Sequence, residues 1–147
     1  RKAEARGEAQ ERGACDPFAS RSDPMDWPAF VNETNAELAR LRPAAPDVAA
    51  GFSALAKAAC KAGALDAKTK ELIALAIGID ARCDGCLAMH AKALVRLGAT
   101  REEVVETVGM AVYMGVGPSM MYGARALSAY DALKAQDDAR RTGTAAE

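Results

Sequence analysis

From Met25 onward, apolar residues recur mostly at intervals of three and four, and no stretch alternates apolar and polar residues over a useful length. The first pattern is typical of α-helices that bury one face, whereas half-buried β-strands require the second. Alanine is abundant and aromatic residues make up only 5% of the chain, which favours closely packed helices over a sheet sandwich. The pattern therefore predicts an all-α bundle of about six helices.

Capping and breaking residues divide this bundle into its predicted helices. Asp66 is placed to cap the third helix, and Thr100 with Glu103 forms a capping box for the fifth. A break at residues 115–117 precedes Pro118, which suits the first turn of the sixth. The predicted helices cover residues 26–41, 46–63, 67–81, 83–98, 101–114 and 118–138.

Several apolar residues give the helices an expected place in the bundle. The third helix is apolar on nearly every side, so we expect it in the middle of the core. Four methionines are expected in the core or at a subunit interface: Met110, Met114, Met120 and Met121. The residues of the sixth helix expected to point inward are Met121, Leu127, Tyr130 and Leu133.

The composition changes on either side of the helical domain, which we place at residues 25–138. Residues 1–24 are rich in charged and small residues and have Phe18 as their one large apolar side chain, so we expect them to be disordered. Met25 is a hypothetical natural start, with the first 24 residues as an upstream extension. Residues 139–147 are expected to form a frayed tail.

Charge and cysteine content exclude several classes of function. The chain has 19 basic and 20 acidic residues, so no basic surface predicts nucleic-acid binding. The longest apolar run, residues 72–79, is far shorter than a membrane span. Four unevenly spaced cysteines do not make a secreted disulfide framework, and the first segment lacks the apolar core of a signal peptide. We therefore expect a cytoplasmic protein.

Redox chemistry is indicated by the segment Cys83-Asp84-Gly85-Cys86-Leu87-Ala88-Met89-His90, which contains the only histidine. In a helix, Cys83 and Cys86 share a face as an i, i+3 pair, and Cys86 and His90 do so as an i, i+4 pair. A helix N-terminus stabilises a thiolate, and His90 could accept a proton from Cys86 or donate one to a leaving group. The spacing predicts thiol–disulfide or peroxide chemistry.

A carboxylate on the preceding helix could join this group. Glu71 lies twelve residues before Cys83, about three helical turns. If the two helices pack antiparallel across a tight connection, Glu71 lies beside the next helix near or beyond His90. It could then relay protons with the imidazole.

Metal binding is the main alternative for the same residues. Cys83, Cys86, His90 and Glu71 could in principle provide four zinc ligands. A structural zinc site usually draws two ligand pairs from separate segments, and the chain has no second such pair. Redox chemistry without a metal or other cofactor is favoured. A non-catalytic oligomeric module with a redox-sensing or zinc-binding cysteine pair remains the alternative.

The order Glu71, Cys83-x-x-Cys86 and His90 resembles the AhpD-like family within the carboxymuconolactone decarboxylase superfamily. The similarity covers roughly residues 45–131. Three further segments in this range also resemble that family: Leu65–Glu71, Leu97–Thr100 and Gly117–Gly123. The resemblance implies an all-α bundle that assembles as a homo-oligomer, a trimer or hexamer. The decarboxylase branch lacks the cysteine pair, so the resemblance does not imply decarboxylation.

The resemblance also implies an activity and roles for the residues. It implies reduction of a hydroperoxide, with Cys86 oxidised to a sulfenic acid and Cys83 closing the disulfide. Cys83 would then react with a thiol or lipoyl-type reducing partner protein, and Glu71 and His90 would relay protons. One departure concerns Gly85, where the AhpD type member has a second histidine.

Overall fold

The computed structural model describes residues 25–143, which contain five α-helices and no strand, so the all-α prediction is confirmed. Predictions about residues 1–24 and 144–147 lie outside the described residues. The helices are α1 (Trp27–Ala44), α2 (Pro46–Cys60), α3 (Ala67–Asp80), α4 (Asp84–Arg96) and α5 (Arg101–Gly143).

The last helix, α5, contains both the fifth and the sixth helix predicted from the sequence. The break expected at residues 115–117 is reduced to Val116, whose φ of 55° and ψ of −138° are not helical and kink the element. We call residues 101–115 the first half of α5 and residues 117–143 the second half. The prediction of about six helices thus becomes five, one of them kinked.

Two predicted helix ends fall short of the observed ones. α1 continues through Pro43 to Ala44, because the Ala45 N–H still donates to the Leu41 carbonyl at 3.0 Å. α5 continues five residues beyond 138, to Gly143. Ion pairs at i, i+4 spacing stabilise this last stretch: Lys134 with Asp138, and Asp137 with Arg141.

The core lies where α3, α4 and α5 pack against one another, with α1 covering α4 and α5. Its largest fully buried side chains come from all four helices: Trp27, Leu75, Ile79, Leu87, Leu94 and Val104. Burial of each large apolar side chain stabilises the fold by about 1.5–3 kcal/mol. Tyr130 is also buried, its hydroxyl donates to the Ala99 carbonyl, and desolvation raises its pKa.

The prediction that α3 lies in the middle of the core is correct for only one side of the helix. Leu75 and Ile79 are fully buried, but Ile73 and Ile77 on the other side of the helix are exposed. The four methionines are exposed as well, which excludes the core position and corrects the inward orientation expected for Met121. Tyr130 and Leu133 are buried as expected, and Leu127 is partly buried.

α2 contributes no buried residue to the core. Its large apolar side chains are Val48, Phe52 and Leu55, which are 74%, 70% and 66% exposed. Their spacing of four and three residues places them on one side of the helix. We call these three residues the α2 stripe. In the single chain the stripe faces solvent.

Gly115 allows a close approach between α3 and the kink of α5. Ser119 is buried, and its hydroxyl donates to Oδ1 of Asp80 at 3.3 Å. A Cβ on Gly115 would lie 1.9 Å from the Ser119 Oγ and 2.5 Å from the Asp80 Oδ1. A side chain at position 115 would therefore displace this hydrogen bond.

We expect Gly115→Ala to lower the free energy of unfolding by about 1–3 kcal/mol, because the added methyl group overpacks this contact. Urea denaturation measures the change. Gly109→Ala is the matched control, since a Cβ there meets no atom within 4 Å. This control should leave stability unchanged or raise it by up to about 1 kcal/mol, the helix-propensity difference. Equal stability of the two variants would contradict the packing argument.

Candidate active site at the start of α4

A tight turn between α3 and α4 places the cysteine pair. Arg82 in this turn has a φ of 54°, in the left-handed region, and the Cys83 N–H donates to the Gly78 carbonyl at 3.1 Å. The chain therefore reverses at once, and α3 and α4 pack side by side. Gly78 permits their close approach, because a Cβ there would lie 3.1 Å from the Cβ of Cys86.

Cys83 is the N-cap residue of α4. Its sulfur accepts a hydrogen bond from the Cys86 N–H at 3.2 Å, where a serine or aspartate oxygen more commonly caps a helix. Cys83 and Cys86 form a disulfide with a Cα–Cα distance of 5.2 Å, and both residues are half-buried. The prediction that the pair lies at the start of a helix is confirmed.

His90 and Glu71 are in direct contact. The Nδ1 of His90 lies 2.7 Å from Oε2 of Glu71, and the two side chains are 32% and 15% exposed. A carboxylate at this position favours the tautomer with its proton on Nδ1, which leaves Nε2 as the nitrogen that can exchange a proton. His90 lies one turn after Cys86 on the same side of α4. All four predicted site residues are therefore gathered at the α3–α4 contact.

Arg125 is a member of this neighbourhood that the sequence analysis missed. Its Nε lies 2.8 Å from Oδ1 of Asp84, the residue after Cys83. The guanidinium also lies 5.6 Å from the ring centroid of Trp27 and 5.8 Å from that of Tyr122. No motif marks Arg125, because it is one of several charged residues on a long helix and lies 41 positions from Asp84.

Two cavities lie elsewhere on the described chain. One of about 320 Å³ is between α4 and the end of α5, with Met89, Arg96 and Gln136 among its lining residues. Another of about 300 Å³ is bordered by Ile77, Asp80, Met110 and Met114. Neither is lined by Cys83, Cys86 or His90. The disulfide therefore does not form the floor of either cavity.

No three histidine, cysteine, aspartate or glutamate side chains within residues 25–143 are arranged to hold a metal ion. Over the same residues, no helix has the length and apolar character needed to cross a membrane.

Comparison with known families extends over most of the helical domain. Residues 46–129 match the carboxymuconolactone decarboxylase family. The chain belongs to this family. The family membership expected from Glu71, the cysteine pair and His90 is thereby confirmed.

Proteins similar to this chain come from several bacteria. An uncharacterised protein of Cupriavidus necator is 38% identical over 110 residues, which are 75% of this chain and 97% of that protein. An uncharacterised protein of Haemophilus influenzae is 36% identical over the same shares of both chains.

Two solved structures share the fold. The apo form of a carboxymuconolactone decarboxylase family protein from Legionella pneumophila is 50% identical, with a TM-score of 0.72, and the match covers 74% of this chain and 96% of that one. A family protein from Thermotoga maritima, for which a part in an antioxidative response has been suggested, is 28% identical with a TM-score of 0.67. That match covers 74% of this chain and 93% of the Thermotoga chain.

Proposed function

We propose that this protein is a cysteine-based hydroperoxide reductase that exchanges its disulfide with a reducing partner. The observation that carries the proposal is a disulfide at a helix N-terminus with an imidazole–carboxylate pair one turn away. A helix N-terminus stabilises thiolates, and the imidazole supplies a group that can give and take protons.

The first step oxidises Cys86 in the reduced protein. His90 Nε2 takes the thiol proton, and the Cys86 thiolate attacks one peroxide oxygen. The O–O bond breaks, Cys86 becomes a sulfenic acid, and the departing alkoxide takes the proton from His90. Glu71, bonded to Nδ1, stabilises the imidazolium that exists between the two proton transfers.

The second step closes the disulfide. The Cys83 sulfur attacks the sulfur of the Cys86 sulfenic acid, and water leaves with the proton of the Cys83 thiol. The two steps together convert two thiols and one hydroperoxide into one disulfide, one alcohol and one water. The disulfide of the structure is therefore the product state of this sequence.

A dithiol partner, such as a lipoyl-type group on a protein, would return the site to its reduced form. His90 Nε2 takes the proton of the first partner thiol, and the resulting thiolate attacks the Cys83 sulfur. The S–S bond breaks, and Cys86 leaves as a thiolate that takes the proton from His90. A second partner thiol then releases Cys83. A reducing compartment is needed to keep this cycle running, so we place the protein in the cytoplasm.

Thiol counting during turnover tests the proposal. Reduced protein mixed with a limiting alkyl hydroperoxide should lose two thiols for each peroxide consumed, and a dithiol should restore both. Metal analysis of protein purified without chelators tests the alternative of a zinc module. Oxidation without turnover, or one zinc ion per chain, would favour the non-catalytic alternative.

We expect Glu71→Gln to slow hydroperoxide reduction about 100-fold, because general acid–base catalysis depends on the charge of the Glu71 carboxylate beside His90. Stopped-flow measurement of thiol loss gives the rate. Asp131→Asn is the matched control, since it removes a carboxylate from an exposed ion pair with Arg101. A Glu71→Gln rate equal to that of this control would exclude Glu71 from proton transfer.

The protein is further proposed to be a homo-oligomer in which a second copy covers α2. The support is the α2 stripe, whose three large apolar side chains lie on one side of α2 and are mostly exposed in the single chain. A helix with no buried residue gains little stability from its own chain, since helical stability comes mostly from packing of an apolar face. Exposed apolar residues on α3 and the first half of α5 offer further area for contact: Ile73, Ile77, Met110 and Met114.

A further inference from the structure

Asp84 is an acidic residue that lies between the two redox cysteines in the sequence. It is the first residue of α4, directly after Cys83 and two positions before Cys86. An acid in the first turn stabilises a helix through the macrodipole. The same negative charge opposes the ionisation of a neighbouring thiol, because two anions repel each other. Asp84 therefore favours the helix and disfavours the thiolate that the proposed chemistry needs.

Arg125 balances this carboxylate. Its Nε lies 2.8 Å from Oδ1 of Asp84, and the two side chains are only 29% and 31% exposed. A partly buried ion pair is screened less by solvent and salt than an exposed one. The second half of α5 thus brings a positive charge to the start of α4, where Cys83 and Cys86 lie.

The position of Arg125 does not depend on Asp84 alone. Its guanidinium lies over the rings of Trp27 and Tyr122, and cation–π attraction holds it there. Trp27 itself is fully buried and donates from its indole Nε1 to the Ser128 hydroxyl at 3.2 Å. α1 and α5 together hold the cation against the start of α4.

Other charged groups near the turn have different partners or, in the case of Arg82, are exposed. Glu71 is bonded to His90 one turn further along α4, and Asp80 accepts from Ser119. Asp26, in the segment before α1, accepts from the Ala29 N–H, and Arg82 lies in the turn between α3 and α4. The Asp84–Arg125 ion pair, in contrast, includes a residue of the segment that carries the two sulfurs.

We infer that Arg125 is a positioning residue that offsets the charge of Asp84 and thereby favours the thiolate, and hence the reduced form, of the Cys83–Cys86 pair. The inference deepens the proposed function, on which it rests, by naming a residue that sets the reactivity of its thiols. Arg125 acts through Asp84 and need not touch the substrate.

Charge changes on the two partners test this inference because they should act in opposite directions. Arg125→Gln leaves Asp84 uncompensated and should slow alkylation of the reduced cysteines by iodoacetamide at pH 7 about threefold to tenfold. Asp84→Asn should accelerate alkylation by a similar factor. Arg125→Lys should stay near the original rate, and the double variant Arg125→Gln with Asp84→Asn should return close to it. Mass spectrometry assigns the alkylated residue.

The disulfide equilibrium provides a second measurement. In dithiothreitol redox buffers, Arg125→Gln should shift the equilibrium toward the disulfide and Asp84→Asn toward the dithiol, by the same factors. The control pair is Arg101 with Asp131, an ion pair on α5 that does not involve α4. Arg101→Gln and Asp131→Asn should leave both measurements unchanged.

Two results would overturn the inference. If both single variants change the alkylation rate in the same direction, the ion pair is only structural; if neither changes it, Arg125 does not affect the thiols. Neither measurement uses a peroxide, so the outcome is separate from that of the proposed function. If the two variants shift the alkylation rate in opposite directions and the protein does not consume hydroperoxide, the inference about Arg125 is supported and the proposed reductase activity is overturned.

Discussion

Replacement of Cys86 by serine is expected to abolish hydroperoxide turnover, with a loss of about 1,000-fold or more, as for removal of a catalytic nucleophile. A serine hydroxyl at this position cannot accept oxygen from the peroxide or join a disulfide. Cys83→Ser should behave differently. Its Cys86 should still react once, form a sulfenic acid and stop, because no second sulfur resolves it.

A peroxide-consumption assay coupled to dithiol oxidation measures turnover, and a sulfenic-acid trapping reagent identifies the intermediate. Cys60→Ser is the matched control, because Cys60 is an exposed free cysteine outside the site. It should retain full activity. Turnover retained in Cys86→Ser would overturn the reductase proposal. A trapped sulfenic acid on Cys83 in the unsubstituted protein would instead exchange the roles of the two cysteines.

The second large effect is expected at the α2 stripe. Phe52→Glu combined with Leu55→Glu should convert the proposed oligomer to monomers at micromolar concentration. Both side chains are mostly exposed in the single chain, so the substitutions do not disturb its core. In an interface, however, the two unpaired carboxylates would lose their hydration, and this desolvation makes the free energy of association unfavourable.

Sedimentation velocity or light scattering measures the mass. Ala50→Glu with Ala54→Glu is the matched control, since it adds two charges to exposed positions on the other side of α2. The control should keep the mass of the unsubstituted protein. A monomeric unsubstituted protein, or the same mass for both double variants, would exclude a second copy on the stripe.

Local signals account for most of the fold that the sequence predicted. Asp66 accepts from the Thr69 N–H, and Thr100 and Glu103 exchange the hydrogen bonds of a capping box. Such contacts span only three residues, so they can be read directly from the chain. The continuity of α5 could not be predicted, because a single residue, Val116, absorbs the break and the helix resumes on its other side.

The difference between short-range and long-range contacts also explains which parts of the site were predictable. The contact of Glu71 with His90 follows from counting turns along two helices joined by a short connection. The contact of Arg125 with Asp84 depends on how α5 crosses α4 after its kink, and no short-range pattern encodes that crossing. The exposure of Ile73 and Ile77 was also missed, because an apolar pattern does not say whether the covering surface belongs to the same chain.

The sulfur cap of α4 links the oxidation state of the protein to the stability of a helix end. The Cys83 sulfur accepts the Cys86 N–H in the disulfide, and as a thiolate it would be a stronger acceptor for the same hydrogen bond. By thermodynamic reciprocity, any change that stabilises the first turn in the reduced state more than in the oxidised state makes the disulfide easier to reduce. A substitution at Gly85, where a Cβ would meet no atom within 4 Å, therefore retunes the redox equilibrium only if it stabilises this turn unequally in the two states.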